Sequence, residues 1–347
     1  MSTTAPRRRA ERPSRRSRLR PGRRAGLTLW LLILLGGLVA LGVAAAPDPP
    51  PYVGEAGGVA IAVAFTAGLV SRTGGRTFVY GGLALGLGVA AVVADEPMLR
   101  TGAALMTCVV TAVFAVMVTV PAVTVLQAVR EAVVAMLVGL VGAAGVVGLE
   151  PTLSLSRFAY TTLAASLVLC LLVVFRLGAG LHGLGRRGLL VVVTGSVLLA
   201  VTLAYAEVLR RYGAPDLVDA LLDGRRWALD NLEGAPRPVQ ALLGVPAIVW
   251  GTHMRARRRQ GWWVCAFGVT AAAQVTHTFL DPSLTLLNAG LTTAYSLVVG
   301  VLLGIVIIRL DLLVTGDGRR RAHGRRARTE DSGSSLRPEP GRTQPLL

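Results

Sequence analysis

Apolar runs about as long as a bilayer is thick recur along this whole chain, and they make an α-helical membrane bundle the fold to expect. The first, Leu27–Ala46, holds no charged residue, and at 1.5 Å per residue a helix of that length covers the ~30 Å hydrocarbon core. Lipid offers no water to backbone N–H and C=O groups, so each crossing segment must close its hydrogen bonds internally. Further runs follow at 53–71, 77–94, 101–126, 132–149, 158–174, 189–206, 239–254, 262–280 and 287–308. The expected fold is therefore an all-α polytopic bundle of about ten spans. The run at 239–254 is the weakest, because it is short and holds Pro246, which removes a helical N–H donor.

The chain divides into five parts on this reading. Residues 1–26 form a basic tail without a core of their own, 27–206 a block of about seven helices, and 207–238 a polar segment. Residues 239–310 form a second block of about three helices, and 311–347 a second basic tail. Both tails are expected to be disordered, since they carry too few apolar residues to offset the entropy of ordering. The Ala44-Ala45-Ala46 ending of the first run resembles a signal-peptide cleavage site. Pro47 disfavours cutting there and the run is long for a signal core, so an uncleaved first span is expected.

A formal charge of +17 raises the question of nucleic acid. Ten of the 36 basic residues precede Leu27, however, and six lie between Arg319 and Arg328, with no folded module or interleaved aromatics beside them. The basic termini fit anionic lipid headgroups instead, and no nucleic-acid partner is expected. Arginine clusters also orient the spans, because positive charge stays on the cytoplasmic side. Ten spans place both termini, the Arg72/Arg76 turn, the polar turn at Gln127, Arg130 and Glu131, the Arg176–Arg187 turn and the Arg255–Arg259 cluster together inside. The expected location is a bacterial cytoplasmic membrane with both ends cytoplasmic and residues 207–238 outside.

Within 207–238, helical phasing puts Leu217, Leu221, Ala228 and Leu232 on one face. Asp216, Asp219, Asp223, Arg226, Asp230 and Glu233 line the other, a candidate docking face for an envelope protein. The pattern predicts an amphipathic helix at the membrane surface, closed by Gly234 and followed by Pro236. Two polar stripes mark the last spans. Thr270, Gln274, His277 and Asp281 share one helical face, and Asn288, Thr292, Tyr295 and Ser296 share another. The short turn between these spans makes them antiparallel neighbours, so the stripes are expected to meet, either as interhelical hydrogen bonds or as a polar groove with His277 as its titrating group. Gly139, Gly142, Gly145 and Gly148, with the Gly82/Gly86 pair, are expected where helices pack closely.

Cys108, Cys170 and Cys265 lie apart in apolar runs, and the four histidines are scattered, so no metal and no cofactor are expected. The chain has no GxSxG, no phosphate loop, no GxGxxG after a strand and no HExxH. In span count it resembles the drug/metabolite transporter superfamily, and in its late polar segment the O-antigen ligases and polymerases. It has no five-plus-five repeat, no motif residue carries over, and no family is assigned. The reading favours a non-catalytic accessory protein of envelope assembly or transport. The alternative is a small permease, or an envelope lipid- or glycan-handling enzyme, with a polar groove under the external helix.

Overall fold

Apolar periodicity turns into helix wherever the chain is described. The computed structural model describes residues 21–152, 154–179, 193–197, 199–201, 215–258, 260–323 and 339–346, and among them there is helix and loop but no strand. Six helices are long and apolar enough to cross a membrane: Ala25–Ala44, Val53–Arg72, Pro97–Met117, Val125–Val147, Leu155–Leu177 and Leu286–Leu313. The full elements are α1 (Pro21–Ala44), α2 (Val53–Arg72), α3 (Thr77–Val93), α4 (Pro97–Met117), α5 (Val125–Val147) and α6 (Leu155–Val174). After them come α7 (Pro215–Leu232), α8 (Val245–Arg255), α9 (Gly261–Ala266), α10 (Val269–Phe279) and α11 (Leu286–His323).

The fourth run differs from its expected limits. α4 starts at Pro97 and ends at Met117, and a loop through Pro121 precedes α5. Thr124 caps α5 by accepting from the Gln127 backbone N–H, while the Gln127 side chain accepts from Thr124 N, a complete capping box. Gln127, Arg130 and Glu131, expected in a polar turn, therefore belong to the first turns of α5.

α5 is the central helix, and its glycine stripe explains why. A Cβ on Gly139 would meet Ala272 Cα at 3.1 Å, one on Gly142 would meet Thr111 Cβ at 2.7 Å, and one on Gly145 would meet Ile61 Cβ at 2.9 Å. One helix thus admits α10, α4 and α2 at three successive glycines. The Gly82/Gly86 pair on α3 behaves differently, with nothing within 4 Å of either position. That pair points away from the described bundle.

The last third of the chain is less regular than its hydropathy predicts. A π-helical turn, Val239–Gly244, runs into α8, with Pro246 in the first turn of that helix. The run at 262–280 is interrupted at Phe267 and Gly268, which separate α9 from α10. Gly244 and Gly268 let these two broken helices touch, since added Cβ atoms would lie 2.7 Å from Ala271 Cα and 2.5 Å from Ile248 Cγ1. Both are buried almost throughout. They are enclosed by α4, α5, α6 and α11.

Long helices that are joined by short links and pack on one another, such as α1 with α2, α2 with α3 and α4 with α5, run antiparallel, so the bundle has two ends. By contrast, α9 and α10 are two pieces of one run. Arg72, Glu131 and Arg255 gather at one end through shared partners, and Arg237 and Asp281 lie at the other. α6 finishes towards the Arg72 end, whereas Leu232 at the close of α7 meets Tyr295 at the Asp281 end. The described helical residues 193–197 and 199–201 fall on the path between, with Gly195 against Phe267 and Leu199 in an apolar cluster with Val239 and Leu243. The rest of the expected seventh span, the turn with His182, Arg186 and Arg187, the tail at 1–20 and residues 324–338 lie outside the described residues.

α7 covers nearly the helix expected at 216–233. Its C-terminal cap differs, because Glu233 takes the left-handed backbone at φ 54°. Gly234 serves another purpose: a Cβ there would sit 2.8 Å from Thr292 N, so only glycine lets the link approach α11. In the second basic tail, α11 continues to His323, and residues 339–346 pack back onto the bundle, with Leu346 N donating to Arg72 O at 2.8 Å.

Candidate functional site

The polar stripe of α10 faces the bundle interior. His277 is 1% exposed, its Nε2 lies 2.7 Å from Thr162 Oγ1 on α6, and the Phe158 ring meets it edge-on with centroids 6.1 Å apart. One turn away Gln274 is buried, and its carbonyl accepts from Thr278 Oγ1 at 2.7 Å. Thr270 at the start of α10 bonds back to Phe267 O at 2.8 Å. Beside this stripe Gln240, in the π-helical turn, donates through Nε2 to Ala271 O at 3.0 Å. Cys108 on α4 lies next to Thr162 and Thr276.

Several buried polar atoms in this core have no partner. They include His277 Nδ1, Gln240 Oε1, Thr111 Oγ1 and Ser166 Oγ. Each such atom costs on the order of 1–3 kcal/mol where no hydrogen bond replaces water. Three helices, α4, α6 and α10, contribute these atoms together with the π-helical turn.

The expected meeting of the two stripes does not occur. α11 lies mainly against α8 and the π-helical turn, which stand between its polar face and α10. Thr292 Oγ1 accepts from Ala235 N at 3.3 Å, Ser296 Oγ accepts from Arg237 N at 2.9 Å, and Tyr295 Oη donates to Leu232 O at 3.1 Å. The α11 stripe therefore pins the link after α7, while Asn288 is half-buried near the start of the helix. The backbone of 232–237 runs along α11 and takes up the hydroxyls of Thr292, Tyr295 and Ser296.

Among the described residues, an ion pair at the rim links the two stripes through Arg237, whose backbone N donates to Ser296 Oγ. Arg237 Nη2 donates to Asp281 Oδ2 at 3.1 Å, and Asp281 Oδ1 accepts from Ser283 N and Oγ at 3.1 and 2.6 Å. Burial pushes the Asp281 carboxyl up, but the Ser283 bonds and the Arg237 charge outweigh it and hold the group below the usual carboxylate range. On the candidate docking face, Asp219, Asp223, Arg226, Asp230 and Glu233 are exposed, and Arg226 pairs with Asp223 at 2.8 Å. Asp216 lies on α7, with its side chain outside the description.

Sequence reasoning missed a second charged centre at the Arg72 end. Arg72 is 2% exposed, and its Nε donates to Met117 O at 2.9 Å and its Nη1 to Gly341 O at 2.6 Å. Arg255, 1% exposed, stacks over Trp262 at 3.5 Å and donates to Thr119 Oγ1 at 2.8 Å and Glu339 Oε2 at 2.7 Å. Glu131, fully buried, accepts from Val120 N at 2.9 Å, Arg130 Nη2 at 3.0 Å and Arg342 Nη2 at 2.6 Å. Arg257 bonds the His253 ring alongside. These residues read as solvated turns because arginine at a span end is ordinarily a topology signal. The available signal was Glu131, an acid beside Arg130 in an otherwise apolar stretch, together with the apolar Leu346 in a polar tail.

Among the described residues no group of His, Cys, Asp and Glu is placed to hold a metal ion. No family model matches the chain, and no curated protein and no solved structure matches it.

Proposed function

We propose that this chain is a ten-span permease of the cytoplasmic membrane, in which a proton passes through the polar core around His277. The observation that carries the reading is the pair of interrupted helices, 239–255 and 261–279, buried at the centre and surrounded by polar atoms without partners. Broken helices at membrane depth occur where irregular backbone lines a path, and an ionisable residue inside a bundle marks such a path by default. A proton suits this core better than a larger solute. The surface depressions beside Leu126–Val133 and beside Pro121 and Glu339 lie away from His277, and a histidine relay needs only hydrogen-bond partners on both ring nitrogens. Thr162 supplies one, and the unpaired Nδ1 leaves the other position for water.

On this reading the Arg72 end is cytoplasmic, the Arg237–Asp281 pair stands at the outer mouth, and α7 lies on the outer surface. The test is proton flux into proteoliposomes loaded with a pH-sensitive dye, driven by a potassium diffusion potential. Flux above that of empty liposomes is expected, with His277→Ala and Thr162→Val each lowering it at least tenfold. Equal flux in protein-free vesicles sinks the idea.

A second reading, an accessory protein docking a partner through α7, is favoured by the exposed acids of that helix. The two separate in rescue of a deletion strain. Loss of rescue on reversing Asp219 and Asp223, with full rescue by His277→Ala and Gln274→Ala, supports docking. The opposite pattern supports the path.

A further inference from the structure

The buried arginines at the Arg72 end hold something that belongs to the chain itself. Arg72 comes from α2 and Arg255 from α8, and the bundle satisfies only part of each guanidinium, through Met117 O for Arg72 and through Thr119 Oγ1, Thr119 O and the Cys265 thiol for Arg255. The remaining bonds go to the eight residues 339–346, which supply carbonyl oxygens of Gly341 and Gln344 to Arg72 and the carboxylate of Glu339 to Arg255. Even so, Arg72 Nη2 and Arg255 Nε find no acceptor. A site completed by its own chain would not be expected to leave two donors of buried cations unpaired, since hydrogen bonds to charged groups are among the most costly to omit. Charge tells the same story. Glu131 is already shared between Arg130 and Arg342, so the Glu339 carboxylate is what balances Arg255.

We propose that Arg72, Arg255 and Thr119, with Trp262 as the stacking wall, form an oxyanion site for a phosphate group, and that Glu339 occupies it in cis as a displaceable stand-in. A carboxylate offers two oxygens and one charge. A phosphate offers three oxygens and up to two charges, which match two guanidinium forks and the donors that Glu339 leaves unpaired. The segment 339–346 is thus a plug whose removal exposes the site. The phosphate belongs either to an anionic lipid headgroup at that membrane face or to a free phosphate.

The experiment compares purified full-length chain, the Glu339→Gln variant and a chain ending at 338. Binding is read from Trp262-dependent fluorescence with two probes, inorganic phosphate and vesicles of phosphatidylglycerol in phosphatidylcholine. Glu339→Gln keeps the plug's backbone bonds while removing its charge, so it is expected to bind at least about tenfold tighter than the full-length chain, and Arg255→Gln added to it should abolish the gain. Binding to vesicles alone identifies a lipid headgroup, and binding to both probes identifies a free phosphate. If Glu339→Gln, folded as judged by its size-exclusion profile, binds neither probe more tightly than the unmodified chain, the segment is a structural latch and the proposal is overturned. Should the shortened chain fail to fold, the Glu339→Gln comparison decides alone.

Discussion

Glu131 shows how differently two ion pairs of one chain weigh. Its carboxylate is fully buried between Arg342 at 2.6 Å and Arg130 at 3.0 Å and also holds Val120 N. Removing Glu131 leaves Val120 N and the partly buried Arg342 without their acceptor, while Arg130, 59% exposed, keeps its water, so the cost is about 1–3 kcal/mol. Glu131→Ala should therefore lower the thermal unfolding temperature in detergent by several degrees. Asp223→Ala breaks only an exposed pair, both side chains 68% exposed, and should cost less than ~1 kcal/mol. Similar losses from the two variants would refute the burial argument. Asp281 supplies the pH dependence. Its folded carboxyl sits below its ordinary value, so its contribution is present above the unfolded pKa and fades as pH falls through the folded one. Asp281→Asn should remove that acid-side loss while costing some stability at neutral pH, which unfolding temperatures across an acid pH series will show. At this scale the sequence revealed the α10 stripe, because offsets of three and four fix a helical face. It did not reveal that Thr162 and Phe158 receive His277, because those contacts cross more than a hundred positions of chain.

At the scale of elements, small-residue spacing identifies a face another helix is able to approach, not whether one does. Gly142 and Gly86 both lie in glycine patterns of the same kind. A Cβ at Gly142 meets Thr111 Cβ at 2.7 Å, whereas one at Gly86 meets nothing. Gly142→Ala must push α4 from α5, and overpacking of this kind costs about 1–3 kcal/mol. Gly86→Ala gains helix propensity without a clash and should be neutral or slightly stabilising. Thermal unfolding of the two variants decides it, and a destabilised Gly86→Ala would mean that α3 carries a partner on that face. Hydropathy located α2 and α3 to within a residue, and helical phasing of a polar segment located α7. It missed the start of α5, although Thr124 and Gln127 spell a capping box, because the adjoining polar residues looked like a turn. The break at Phe267 and Gly268 left no polar mark, so an apolar run read as one continuous span.

For the whole molecule, the contacts among the described residues mark two ends of the bundle, with Arg72, Glu131 and Arg255 at one and Arg237 and Asp281 at the other. Arg72, Arg130 and Arg255 converge on residues 339–346 or on the glutamate those residues touch, so their shared side follows from contact as well as from arginine counting. α7 is carried to the opposite end by Tyr295 and by the Arg237–Asp281 pair. A cysteine replacing exposed Asp223 should react with a membrane-impermeant maleimide in intact cells, and one replacing exposed Arg76 should react only after permeabilisation. The native thiols Cys108, Cys170 and Cys265 are all buried and should contribute little background. Labelling of both positions from the same side would refute their placement at opposite ends, whereas labelling of Arg76→Cys alone would keep the fold and invert it in the membrane. Inversion would also move the plugged arginine site outside, away from the anionic leaflet that its chemistry suits.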